Sequence, residues 1–131
     1  MARSSKRPIL PALHELEAEV MEEVWRHDEI SVRELMEILN RRARNPRAYT
    51  TYMTIMARLH KKGALSRRRE GKTDFYTPVH DRSEYMALRA HAEVEQLVTQ
   101  YGDVALSNFA QQMASLDPAR RRALERLARK T

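Results

Sequence analysis

The chain contains no cysteine, so disulfides and thiolate metal sites are excluded, a composition that fits a reducing compartment. Glycine is almost as scarce. Three in 131 residues leave little material for a phosphate-cradling loop, and no Walker loop, H-E-x-x-H pair or nucleophile elbow occurs. The histidines, His14, His27, His60, His80 and His91, are scattered without a short pair at helical metal spacing, so no metal and no cofactor are expected. An enzyme is not the expected reading. No stretch approaches the roughly 20 apolar residues a membrane helix needs, and the basic start "MARSSKRPILPAL" is broken by Pro8 and Pro11, making a poor signal peptide. The sequence therefore reads as a soluble, cytoplasmic protein with no membrane insertion.

What is present is charge, and it is segregated. Between residues 14 and 37 there are nine acids and two bases, a net of −7. Between residues 40 and 72 there are eleven bases and Glu70 alone, a net of +10. A merely solvated face mixes both signs, whereas cationic density of this kind attracts a polyanion.

Periodicity supplies the elements. Leu13, Leu16, Val20 and Val24, widened by Trp25, predict a first helix over residues 14–26 whose opposite face carries the glutamates. Ser31 followed by Glu34 is a capping box that opens a second helix, which ends in arginines before Asn45-Pro46. A third helix has Tyr52, Met56 and Leu59 inward and Gly63 as its left-handed stop. Two strands, residues 65–69 and 75–79, then bracket the turn "EGKT". From Asp81, with Glu84 as a second capping box, the pattern is all helical: a seam of Met86, Ala90, Val94, Leu97 and Tyr101, a break at Gly102, a helix using Leu106, Phe109 and Met113, and a last helix capped by Asp117 and carrying Leu124 and Leu127. The fold class expected is mainly α: a winged helix-turn-helix domain with a small antiparallel β wing, followed by an all-helical dimerisation segment. The predicted divisions are a basic flexible arm (1–12), the winged helix (13–80) and the dimerisation segment (81–131). Single apolar stripes on three short helices cannot close a core alone, so a second copy is the expected partner.

The third helix and the hairpin carry the chemistry. Thr50, Thr51 and Thr54 can offer hydroxyls and methyls to base edges, and Arg58 and Lys61 can reach phosphates. Thr50 or Thr51 could equally cap the helix. Tyr49 could donate to phosphate or be buried at the helix start. In the wing, Arg67, Arg68, Arg69 and Lys72 alternate along a strand, so about half can face one groove. Double-stranded DNA is the partner this pattern suits. A winged-helix module that binds protein without sequence-specific DNA recognition is the alternative.

Taken together, "LEAEVMEEVW", "SVRELMEIL", "AYTTYMT", "RLHKKG" and "REGKTDFYTPV" resemble the penicillinase repressor (BlaI/MecI) family over residues 13–130. The resemblance implies a homodimeric repressor on a palindromic, inverted-repeat operator, with Thr50, Thr51, Thr54 and Arg58 on the recognition helix and Arg68, Arg69 and Lys72 on the wing. It also implies release by proteolysis: in the best-known members a membrane sensor protease answers β-lactam and the repressor is cut at an Asn-Phe bond. Asn108-Phe109 matches that dipeptide, although a surface Asn beside a core Phe is a plain structural alternative. The cysteine pairs of the related copper-responsive repressors are missing, which excludes thiolate copper sensing.

Overall fold

The computed structural model describes residues 13–130, so the expected basic arm over 1–12 lies outside the described residues. In order, the elements are α1 (Glu15–Val24), β1 (Ile30–Ser31), α2 (Val32–Arg42), α3 (Tyr49–Lys61), β2 (Leu65–Glu70), β3 (Thr73–Pro78), α4 (Arg82–Tyr101), α5 (Asp103–Ala114) and α6 (Pro118–Lys130). The chain divides into two compact units, one through Ala90 and one from His91.

The first unit is a winged helix. Its core gathers Val20, Met21 and Val24 of α1, Leu35 and Leu39 of α2, and Tyr52, Met56 and Leu59 of α3, all 2% exposed or less. The spacings of three and four behind those positions place each set on one helical face. Burying each such side chain is worth about 1.5 to 3 kcal/mol, and these residues hold the three helices together. The capping box at Ser31 is formed: its hydroxyl accepts from the Glu34 N–H (3.2 Å) and Glu34 accepts from the Ser31 N–H (2.9 Å). The sheet has the antiparallel order β1-β3-β2. β2 and β3 form a hairpin in which Glu70 pairs with Thr73, leaving Gly71 and Lys72 as a two-residue loop. Gly71 takes φ +63°, a conformation that favours glycine. β1 adds only Ile30 and Ser31 opposite Tyr76 and Phe75, and so ties the α1–α2 connection to the wing.

One expectation about α1 is corrected. The glutamates do not all line a solvated face, because Glu17 is 1% and Glu23 5% exposed. Glu17 Oε1 accepts from Lys62 Nζ at 2.6 Å and from the His14 N–H at 3.0 Å. Glu23 accepts from Arg26 (3.0 Å) and Arg42 (2.9 Å) and lies 2.8 Å from His27 Nε2. Burial pushes both carboxyls upward. Lys62 and the His14 N–H outweigh it at Glu17, and His27 and Arg42 do so at Glu23, so both end below the usual carboxylate range.

The first turns of α4 complete this unit. The Asp81–Glu84 capping box is formed in both directions (3.1 and 2.7 Å). Arg82 grips both Glu22 oxygens, at 3.0 and 3.1 Å. Trp25 donates to the His80 carbonyl (3.0 Å), and its ring lies 5.5 Å from that of Tyr85.

The second unit holds the rest of α4, then α5 and α6. Gly102, at φ +58°, separates α4 from α5, and Asp117 caps α6 by accepting from the Arg120 N–H at 2.9 Å. Little of it is buried: among its described residues only Ala105 reaches the interior, while Val94, Leu97, Tyr101, Val104, Leu106 and Leu127 are 39 to 66% exposed. No helix among the described residues is long and apolar enough to cross a membrane.

Candidate nucleic-acid interface

The candidate interface begins with how α3 is held. The Asn40 amide, near the end of α2, donates to the Arg47 carbonyl (2.9 Å), and its oxygen accepts from the Arg47 N–H (3.0 Å) and from the Tyr52 hydroxyl (2.8 Å). One side chain thus fixes both the α2–α3 connection and the first turn of α3. At the other end, Lys62 anchors to Glu17. Neither anchor is visible to periodicity: Lys62 and Glu17 are 45 residues apart, and Asn40 meets Arg47 and Tyr52 across the α2–α3 connection, 7 and 12 residues on.

Between these anchors, α3 buries Tyr52, Ile55, Met56 and Leu59 and exposes Thr50, Thr54, Arg58 and Lys61 on the opposite side. At 100° per residue those four positions share one face, with half-buried Thr51 at its margin. The capping alternative for the threonines is overturned: the N-cap is Ala48, which uses no side chain, so Thr50 and Thr51 sit inside the first turn. Tyr49 is not buried either. It is 42% exposed, lies to the side of the threonine face, and has the Arg33 guanidinium 5.9 Å from its ring centre. A shallow depression of about 300 Å³, lined by Met53, Thr54, Ala57, Arg58 and Lys61, runs along the face. Thr50, Thr51, Thr54 and Arg58 line a second one beside it.

The wing sorts its cations by strand alternation. Arg67 opposes Tyr76 and Arg69 opposes Asp74, so both share the face of the sheet that carries the buried Leu65 and Tyr76. Arg68 points the other way. It donates to both oxygens of Glu29 (2.9 Å each) and to Glu70 (2.5 Å), with its guanidinium 4.8 Å from the Phe75 ring centre. Those hydrogen bonds raise its pKa further and lower that of Glu29. Arg69 is loosely engaged, with Nε 3.9 Å from Asp74 and 3.4 Å from the Gly71 carbonyl. Among the described residues, the side chains of Arg58, Lys61, Arg67 and Lys72 make no ion pair or hydrogen bond. Four unmatched cations therefore flank or occupy the threonine face and the wing.

A family model described as Penicillinase repressor matches residues 13–130. The chain belongs to the penicillinase repressor family. Its relatives include the penicillinase repressor of Bacillus licheniformis, 34% identical over 63% of this chain, with 63% of that repressor covered. The chain thus spans somewhat under two thirds of that repressor's length in the match. The transcriptional regulator BlaI of Mycobacterium tuberculosis is 36% identical over 90% of this chain and 86% of its own. Among solved structures, the DNA-binding domain of the repressor BlaI superposes with a TM-score of 0.51 at 35% identity, covering 60% of this chain and 93% of that one.

Against this penicillinase repressor framework, Asn108 and Phe109 fall inside α5. The Asn108 side chain is exposed and donates to the Val104 carbonyl (3.1 Å), while Phe109 is half-buried. Both line an apolar groove with Leu97, Tyr101, Val104 and Ala105. Of the other residues expected at a dimer interface, Met86, Val94, Leu106 and Leu127 are exposed, and Met113 and Leu124 are half-buried.

Proposed function

We propose that this chain is a DNA-binding transcriptional repressor that holds an inverted-repeat operator as a homodimer, with α3 in the major groove and the wing on the flanking backbone. The observation that carries the reading is the exposed α3 face: Thr50, Thr54, Arg58 and Lys61, with Thr51 at its margin and, among the described residues, no acidic side chain set against either cation. Threonine hydroxyls and methyls suit base edges, and unpaired cations suit phosphates. The solvated apolar surface of Leu97, Tyr101, Val104 and Leu106 supports residues 81–131 as the segment that a second copy covers. Two α3 helices related by a two-fold axis would meet half-sites one helical turn, about 10 base pairs, or a multiple apart. Selection from random-sequence duplexes tests the reading. A palindrome with that spacing is the expected product, and enrichment of no palindrome would leave the protein-binding alternative standing.

Release by a membrane sensor protease at Asn108-Phe109 is the finer part of the proposal. A protease needs extended backbone, so the bond becomes a substrate only if α5 unwinds locally. Cleavage there would remove α6 and half of α5, and the loss of bivalency would lower operator occupancy by orders of magnitude. Immunoblotting of cells exposed to cell-wall antibiotic checks it: derepression with the chain intact would exclude this route.

A further inference from the structure

We propose that the exposed basic side of α6 is a second, sequence-independent contact for duplex DNA, engaging phosphates that flank the operator. The inference rests on the repressor reading above and extends it to the basic side of α6, the one side of that helix to which dimerisation gives no role.

α6 carries six cations, Arg120, Arg121, Arg122, Arg126, Arg129 and Lys130, against one anion, Glu125. Three of the six are consecutive in its first turns, where a helix N-terminus disfavours positive charge, so the fold gains nothing electrostatic from them. The helical repeat gathers Arg122, Arg126 and Arg129 on the side opposite Leu124 and Leu127. All three are exposed, and among the described residues none has an acidic partner. From Arg122 to Arg129 the row is roughly 10 Å long, comparable with about three phosphate rises along one strand. If Leu124 and Leu127 turn toward a partner copy, the arginine row faces outward.

Duplex DNA is the occupant that charge complementarity favours. A helix lying in a membrane interface needs a broad apolar face with Trp, Phe or several Leu, whereas α6 offers two leucines and alanines and no aromatic residue. A polyanion is already the ligand of the other unit, so the backbone beyond the operator ends supplies the same chemistry at high local concentration.

The test uses the full chain on two duplexes, one ending at the operator boundary and one extended by about 20 base pairs of arbitrary sequence on each side. At about 0.9 per phosphate, three to five flanking contacts per dimer make the slope of log K against log salt steeper by roughly 2.7 to 4.5 on the long duplex. The triple variant Arg122→Gln, Arg126→Gln, Arg129→Gln is expected to match the unaltered protein on the short duplex and to lose the extra slope on the long one. The corresponding triple lysine variant is expected to keep it. A slope independent of flank length, or an increment retained by the glutamine variant, overturns the proposal. So does loss of short-duplex binding by a glutamine variant that remains folded and dimeric, which would place α6 on the operator itself. Should the variant fail to fold, flank dependence in the unaltered protein decides alone. Arginine-dependent binding to vesicles with anionic lipid, without flank dependence, would assign the surface to a membrane. Failure of the repressor reading looks different: no discrimination between operator and arbitrary sequence on the short duplex.

Discussion

Arg67 and Arg68 are neighbours in sequence and opposites in circumstance. Arg68 spends its guanidinium on Glu29, Glu70 and the Phe75 ring, while Arg67 has no partner among the described residues. We therefore expect Arg67→Gln to weaken operator and arbitrary DNA together and to lower the salt slope by about 1.8 per dimer, one phosphate per subunit. Arg68→Gln is expected to leave the slope unchanged, because a cation already matched inside the protein releases no DNA counterion. Fluorescence anisotropy titrations at several salt concentrations measure both. Thr54, exposed in the middle of the α3 face, is expected to behave in a third way. Thr54→Ala costs roughly 1 to 3 kcal/mol on operator and little on arbitrary sequence, and equal losses on the two would remove it as a base reader.

At the scale of elements, the orientation of α3 rests on buried charge as well as on its apolar stripe. Lys62→Met strips Glu17 of its only cationic hydrogen-bond partner among the described residues and is expected to cost about 3 to 5 kcal/mol, read from urea midpoints. The carboxyls of Glu17 and Glu23 lie lower in the fold than in an unfolded chain, where a glutamate titrates near 4.3. Their contribution is thus complete above about pH 4.3 and drains away as pH falls through the folded values. Thermal midpoints are expected to fall in that acid range, and Glu23→Gln to lower the midpoint at neutral pH while flattening its acid dependence. Local rules made much of this architecture legible in the sequence: Ser31 and Glu34 are three residues apart, Gly63 and Gly71 mark a helix stop and a turn, and Leu35 and Leu39 repeat at helical spacing. What escaped is what periodicity cannot see. It assigns every glutamate of α1 to solvent, yet Lys62, 45 residues on, draws Glu17 inside. Equally, nothing local joins Arg68 to Glu29 or Asn40 to Tyr52, and β1, two residues long, is too short to show an alternation.

For the whole molecule, the two units differ in how much apolar surface they leave exposed. One encloses a well-filled core, and the other leaves Leu97, Tyr101, Val104 and Leu106 in water. If a second copy covers them, the thermal midpoint rises with protein concentration. Leu97→Asp is expected to abolish that dependence, shift sedimentation to the monomer, and reduce operator binding to the affinity of a single half-site. A monomeric variant with undiminished operator affinity would refute the bivalent arrangement.

The Trp25 contact has a practical consequence. It is the chain's one tryptophan, and it sits where the His80 carbonyl and the Tyr85 ring meet α1. Its fluorescence is therefore an intrinsic gauge of that joint: a red shift during titration with operator would report its loosening, and an unchanged spectrum would report that the Trp25–His80–Tyr85 contact stays closed throughout the titration.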